Sequence, residues 1–320
     1  GEGLNIPNRI KALPVKRPGP IVAAVIVVLL AAMLIQGLIT NPRLDWPTVW
    51  KYLFNENVLE GIRYTLELTV ISMVVAIILS VILAIMRKSI NPVLRGVSWF
   101  FIWFFRGTPV YTQLIFWGLF AVLIPKISLG IPFTSVEFWS IDSNVVVTAF
   151  NAAWIGLALN EAAYLSEIVR AGLEAVDPGQ TEAAKALGMN RTLIMRRIVL
   201  PQAMRIIIPP TGNETISLLK TTSLVIAVPF SLELYGRSTD IANALFLPVP
   251  MLLVAATWYL VITSILMVGQ FYLERYFARG ATRQLTARQL AALADAEGVP
   301  LANARVVDKD EEHFYREDPQ

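Results

Sequence analysis

Two apolar stretches of this chain carry polar and ionisable side chains of the kind that line a pathway or meet a partner. In residues 206–228, Asn213, Ser217 and Lys220 recur at i, i+4 and i+7, which puts them on one helical face, with Glu214 beside Asn213. Residues 145–169 repeat the spacing in Asn160, Tyr164 and Glu167, with Glu161 adjacent. Ionisable groups in hydrocarbon are costly, and where they occur they face a cavity or a partner. Lysine, amide and hydroxyl donors suit a carboxylate, and glutamates suit an ammonium. The alternative is that these groups satisfy one another between packed helices. Glu67, in a third apolar stretch, reads as lying near the headgroups.

No catalytic constellation accompanies them. The sequence has no Gly-x-x-x-x-Gly-Lys-Ser/Thr phosphate loop, so ATP binding in the usual way is excluded. Cysteine is absent, which excludes disulfides and thiolate metal sites, and one histidine, His313, excludes a multi-histidine centre. No cofactor, metal or nucleic-acid partner is expected for the chain itself.

The elements that would position the polar groups are membrane spans. Of 320 residues, 55% are hydrophobic and 16% charged, and mean hydropathy is +0.58, too apolar for an ordinary soluble protein. Six stretches approach the roughly 20 apolar residues a bilayer requires: 21–39, 64–86, 108–124, 145–169, 206–228 and 251–271. A signal peptide competes for the first, but no small-residue cleavage site clearly follows it. Pro109 and Pro209-Pro210 interrupt the third and fifth. Aromatic residues 99–105 suit the membrane interface, and Arg106-Gly-Thr-Pro109 reads as a bend before the third span.

With a cytoplasmic N-terminus, the inner segments hold 21 Lys/Arg and the outer ones five. The positive-inside rule therefore places both termini in the cytoplasm. The last outer loop, 229–250, includes Glu233, Arg237 and Asp240. Residues 281–320 form a polar tail, with a short helix expected at 286–296 and an acidic end.

One inner segment has strong helix punctuation. Asp177 is an N-cap, Pro178 fits the first position, Gln180 completes a capping box, and Gly188 supplies a left-handed stop. Ala183, Ala184 and Ala186 between them would let another protein approach closely, and Arg191, Arg196, Arg197 and Arg205 follow. An ordinary surface loop is the plainer reading.

Residues 182–201, EAAKALGMNRTLIMRRIVLP, resemble the EAA loop of permease subunits of ATP-binding-cassette (ABC) importers. FFRGTPVYTQL (104–114), EAAYLSEIVRAGLEAVDPGQTEAAKALG (161–188), LPQAMRIIIPP (200–210) and GNETISLLKTTSL (212–224) resemble its polar amino-acid branch, the histidine, glutamine, glutamate and arginine type. The resemblance runs from about residue 59 to 271. It departs at Thr221, where many relatives carry an acid.

The resemblance implies an all-α polytopic membrane protein with the type I ABC importer permease fold. Residues 1–20 would be a cytoplasmic segment, 21–39 an additional first helix, 59–273 the permease domain with coupling loop 177–201, and 274–320 a cytoplasmic tail. Glu182, Ala183, Ala184, Leu187 and Gly188 would couple to the ATPase; Asn160, Glu161, Tyr164, Glu167, Asn213, Glu214, Ser217 and Lys220 would line the pathway. Implied partners are two ATPase subunits holding ATP and Mg, a second permease (identical or paralogous), an extracytoplasmic amino-acid-binding protein and membrane lipid. The expected location is the bacterial inner membrane. A self-sufficient secondary amino-acid transporter or channel is the alternative, with Glu161, Glu214 and Lys220 as ion-coupling groups.

Overall fold

The computed structural model describes residues 18–278. The expected segment 1–20, apart from its last residues, the helix at 286–296, His313 and the tail from 279 onward lie outside the described residues.

In chain order the helices begin with α1 (Pro18–Thr40), α2 (Trp46–Leu53), α3 (Glu56–Arg87), α4 (Pro92–Gly107), α5 (Val110–Gly118) and α6 (Phe120–Leu123). A hairpin of β1 (Lys126–Gly130) and β2 (Glu137–Asp142) comes next. Then follow α7 (Ser143–Val146), α8 (Ala149–Glu174), α9 (Pro178–Ala186), α10 (Arg191–Ile194), α11 (Leu200–Thr221), α12 (Leu234–Leu245) and α13 (Pro248–Ala278). A π-helical turn, Met195–Val199, joins α10 to α11, and a 3-10 stretch, Thr222–Ala227, prolongs α11.

Among the described residues, three segments are long and apolar enough to cross a membrane: Gly19–Thr40, Glu56–Arg87 and Pro248–Phe277. They match the first, second and sixth expected spans. The fourth and fifth correspond to α8, with 26 residues, and α11, with 22, which reach bilayer length but are more polar. The third differs. Its helix α5 has nine residues, about 14 Å at 1.5 Å per residue, roughly half the hydrocarbon thickness. It starts only after Pro109 and stops at Gly118, where a Cβ would lie 3.2 Å from Pro229 Cδ. The aromatic residues expected along the interface form the second half of α4.

The hairpin departs from the all-α expectation. Its strands are antiparallel, pairing Lys126 with Asp142 and Leu129 with Trp139. Lys126 Nζ lies 2.7 Å from Glu137, and Phe133 at the tip has φ 64°. Gly130 and Pro132 are turn-forming residues, but nothing local to them announces the strand pairing.

The described residues fall into two units, to both of which α3, α4, α8, α11 and α13 contribute. One comprises residues up to Val75, Phe105–Asn160 and Leu218–Ile262. Its core packs Val49, Leu53, Val58, Leu234, Ala242, Met251 and Val254, and Trp258 Nε1 donates to the Leu53 carbonyl at 2.7 Å. Helix α1 stands outside that core; its apolar window buries nothing.

The other unit comprises Ala76–Phe104, Glu161–Ser217 and residues 263–278. Val176, Ala184, Ile194, Val199, Ala203 and Ile207 form a core beneath α9. Helices α8 and α11 approach closely because Gly172 lacks a side chain: a Cβ there would come within 2.3 Å of Ile207. Gln270 Nε2 donates to the Pro209 carbonyl at 2.7 Å, tying α13 to the proline pair of α11.

Candidate functional site

Helix α9 forms as its punctuation directs. The Asp177 carboxylate accepts from Gly179 N at 2.8 Å, and Gly188 takes φ 78°. Gly188 N donates to Lys185 O and Met189 N to Ala184 O, the pair of bonds of a Schellman stop. The reciprocal half of the expected capping box is replaced: Gln180 Oε1 accepts from Gln202 Nε2 at 2.5 Å, so the residue ties α9 to α11.

The small residues of α9 do not share one face. Ala184 is 3% exposed and packs into the core beneath the helix. Among the expected coupling residues it is the one that faces the core rather than solvent. Glu182, Ala183, Ala186 and Gly188 are exposed, and Leu187 is 83% exposed. A bare leucine beside alanines on a capped helix is a knob that a partner's cleft can take.

The polar residues of α8 separate into different roles. Asn160 Nδ2 donates to the Phe105 carbonyl at 3.0 Å and to Gln113 Oε1 at 3.1 Å. Gln113, buried on α5, donates in turn to the Phe105 and Thr108 carbonyls and to Thr108 Oγ1. Asn160 thus braces the bend at Thr108-Pro109. Glu167 is also engaged, 2.8 Å from Arg170, which reaches Glu174 at 2.6 Å. Tyr164 is exposed.

Glu161 is different. It is 6% exposed, its Oε1 has no hydrogen-bond partner, and it lies within electrostatic reach of Glu214 on α11. Two carboxylates so placed repel each other unless a cation or a proton intervenes. On α11 the expected face is present: Asn213, Ser217 and Lys220 are all exposed, and Glu214 is half-buried.

Gln113 was legible only as part of a motif; an amide amid Val-Tyr-Thr and Leu-Ile-Phe is the signal that marks it. Glu233, in the outer loop expected at 229–250, is fully buried. It caps α12, accepting from Tyr235 N at 2.9 Å and Gly236 N at 2.5 Å, and takes a third bond from Tyr259. Burial pushes its carboxyl above the usual range, and these donors oppose the shift. Arg237 pairs with Glu60 at 2.6 Å.

Residues 76–279 match the family described as binding-protein-dependent transport system inner membrane component. The chain is 58% identical over 301 residues to the arginine transport system permease protein ArgU of Corynebacterium glutamicum, covering 94% of this chain and 93% of that protein. It is 34% identical to the probable amino-acid ABC transporter permease protein YckA of Bacillus subtilis, over 72% of this chain and 96% of the relative. An amino acid ABC transporter crystal structure with histidines matches with TM-score 0.58 and 30% identity, over 70% of this chain and 95% of that one. An inward-facing methionine ABC transporter, MetNI, shares the fold at TM-score 0.53 and 15% identity, over 69% and 96%. The chain belongs to the family of binding-protein-dependent transport system inner membrane components, as a permease subunit of an amino-acid ABC importer.

Proposed function

We propose that this permease carries a cationic amino acid of the arginine class. The observation that carries the reading is Glu161, a buried carboxylate with an unpartnered oxygen and Glu214 nearby. A guanidinium or ammonium supplies the charge-assisted donors such an oxygen lacks. The exposed Asn213, Ser217 and Lys220 would meet the substrate's carboxylate. The arginine assignment of the Corynebacterium glutamicum relative supports the same substrate.

Around this subunit stand a second permease, identical or paralogous, and two ATPase subunits that bind ATP and Mg. The ATPases dock on the exposed side of α9, through Glu182, Ala183, Leu187 and Gly188. An extracytoplasmic binding protein delivers the substrate. The distribution of 21 inner and five outer Lys/Arg supports cytoplasmic termini and a cytoplasmic α9.

The test is Glu161→Gln in the assembled complex. Losing one charge-assisted bond of about 1.5–3 kcal/mol lowers arginine uptake about tenfold or more, while assembly is unchanged. Undiminished uptake with unaltered arginine affinity would remove Glu161 from the pathway.

A further inference from the structure

The unit that holds α9 also contains an apolar groove of about 600 Å³, within the range of ligand clefts, about 300–1,000 Å³. Ile77 and Ile85 of α3, Leu165 and Leu173 of α8, and Leu200 and Ile208 of α11 mark its extent. Three hydroxyls line it, and each is already used by its own helix: Ser80 donates to Ile77 O, Thr211 to Ile207 O and Thr215 to Thr211 O. The groove therefore offers these donors to no zwitterion and suits a hydrocarbon chain.

Its place on α11 separates it from the polar face. At 100° per residue, Ile208, Thr211 and Thr215 stand roughly half a turn around the helix from Asn213, Ser217 and Lys220. From Leu200 to Thr215 the groove runs about 22 Å, more than the roughly 15 Å of hydrocarbon in one leaflet.

The rim is basic. Met195 and Leu200 both line the groove, and between them the π-helical turn carries Arg196 and Arg197, with Arg205 about two turns farther along. All three are exposed and form no ion pair among the described residues. The neighbouring acid Glu174 is committed to Arg170 and Lys88.

We propose that this groove binds one acyl chain of an anionic phospholipid from the leaflet on the α9 side, with Arg196 and Arg197 holding its phosphate. The proposal takes the opposite face of α11 as the pathway, but its test reads lipid directly and so stands or falls apart from substrate identity. Full-length protein, delipidated in detergent, is titrated with dioleoyl-phosphatidylglycerol or dioleoyl-phosphatidylcholine and followed by native mass spectrometry. Phosphatidylglycerol binds the wild type more tightly, by about thirtyfold if each arginine contributes what a basic residue does at an anionic surface. Arg196→Gln with Arg197→Gln removes the preference, and Val169→Phe, at a lining residue of α8, fills the groove and weakens both lipids. Equal retention of the two lipids by wild type and the double variant would overturn the proposal. So would a cross-linked second copy protecting the groove, or arginine binding lost in Val169→Phe while lipid retention is unchanged.

Discussion

Gln113 donates to the carbonyls of Phe105 and Thr108 while accepting from Asn160, so one buried amide holds the bend from two sides. Gln113→Met keeps the volume and removes these bonds. Leaving the partners unpaired costs about 1–3 kcal/mol, which a lowered melting temperature in detergent would register. An unchanged melting temperature would show that packing alone sets the bend. The residue scale also marks where spacing stops being informative. Asn160, Tyr164 and Glu167 obey a helical period, but period names a face and not what faces it. Asn160 meets the bend and Glu167 meets Arg170. Glu161, noted only as their neighbour, keeps the unpartnered oxygen.

At the scale of the element, α9 was legible because its signals are local. An aspartate cap, a proline at the first position and a glycine stop act within a turn of their own backbone. Which alanine lies inward was not legible, since Ala184 is buried by residues up to 23 positions away, such as Ile207. The shortness of α5 and the β1–β2 pairing escaped for the same reason: Val228 and Pro229 crowd Gly118, and strand pairing joins segments through a turn that sequence marks only at its start. The two alanines make opposite predictions. Ala183→Arg puts a charge on the exposed side, so it abolishes ATP-coupled uptake without changing expression or melting temperature. Ala184→Arg drives a charge into the core beneath α9 and lowers stability by more than the 1–3 kcal/mol of ordinary overpacking. Normal coupling in Ala183→Arg would take the docking surface away from α9.

At the scale of the whole molecule, composition and charge asymmetry made the membrane class plain, and three strongly apolar helices agree. The natural absence of cysteine makes orientation directly measurable. Cysteines at Ser135 and Asn243 are expected to react with an impermeant maleimide in intact cells. Those at Ser89, Thr192 and Thr286 are expected to react only after permeabilisation. External labelling of Thr192 would place α9 on the wrong side for an ATPase. The family membership also favours a subunit over the self-sufficient transporter that Glu161, Glu214 and Lys220 once allowed.

Arginine-class import, as proposed, is driven from outside this chain, and uptake in proteoliposomes is its test. The permease is reconstituted with its ATPase and binding protein, and labelled arginine is supplied on the binding-protein side. Uptake is expected to require ATP, to be outcompeted by lysine or ornithine more than by glutamate, and to fall at least tenfold in Glu161→Gln. Arginine uptake by this chain alone in ATP-free liposomes, or ATP-driven uptake that prefers glutamate, would contradict it.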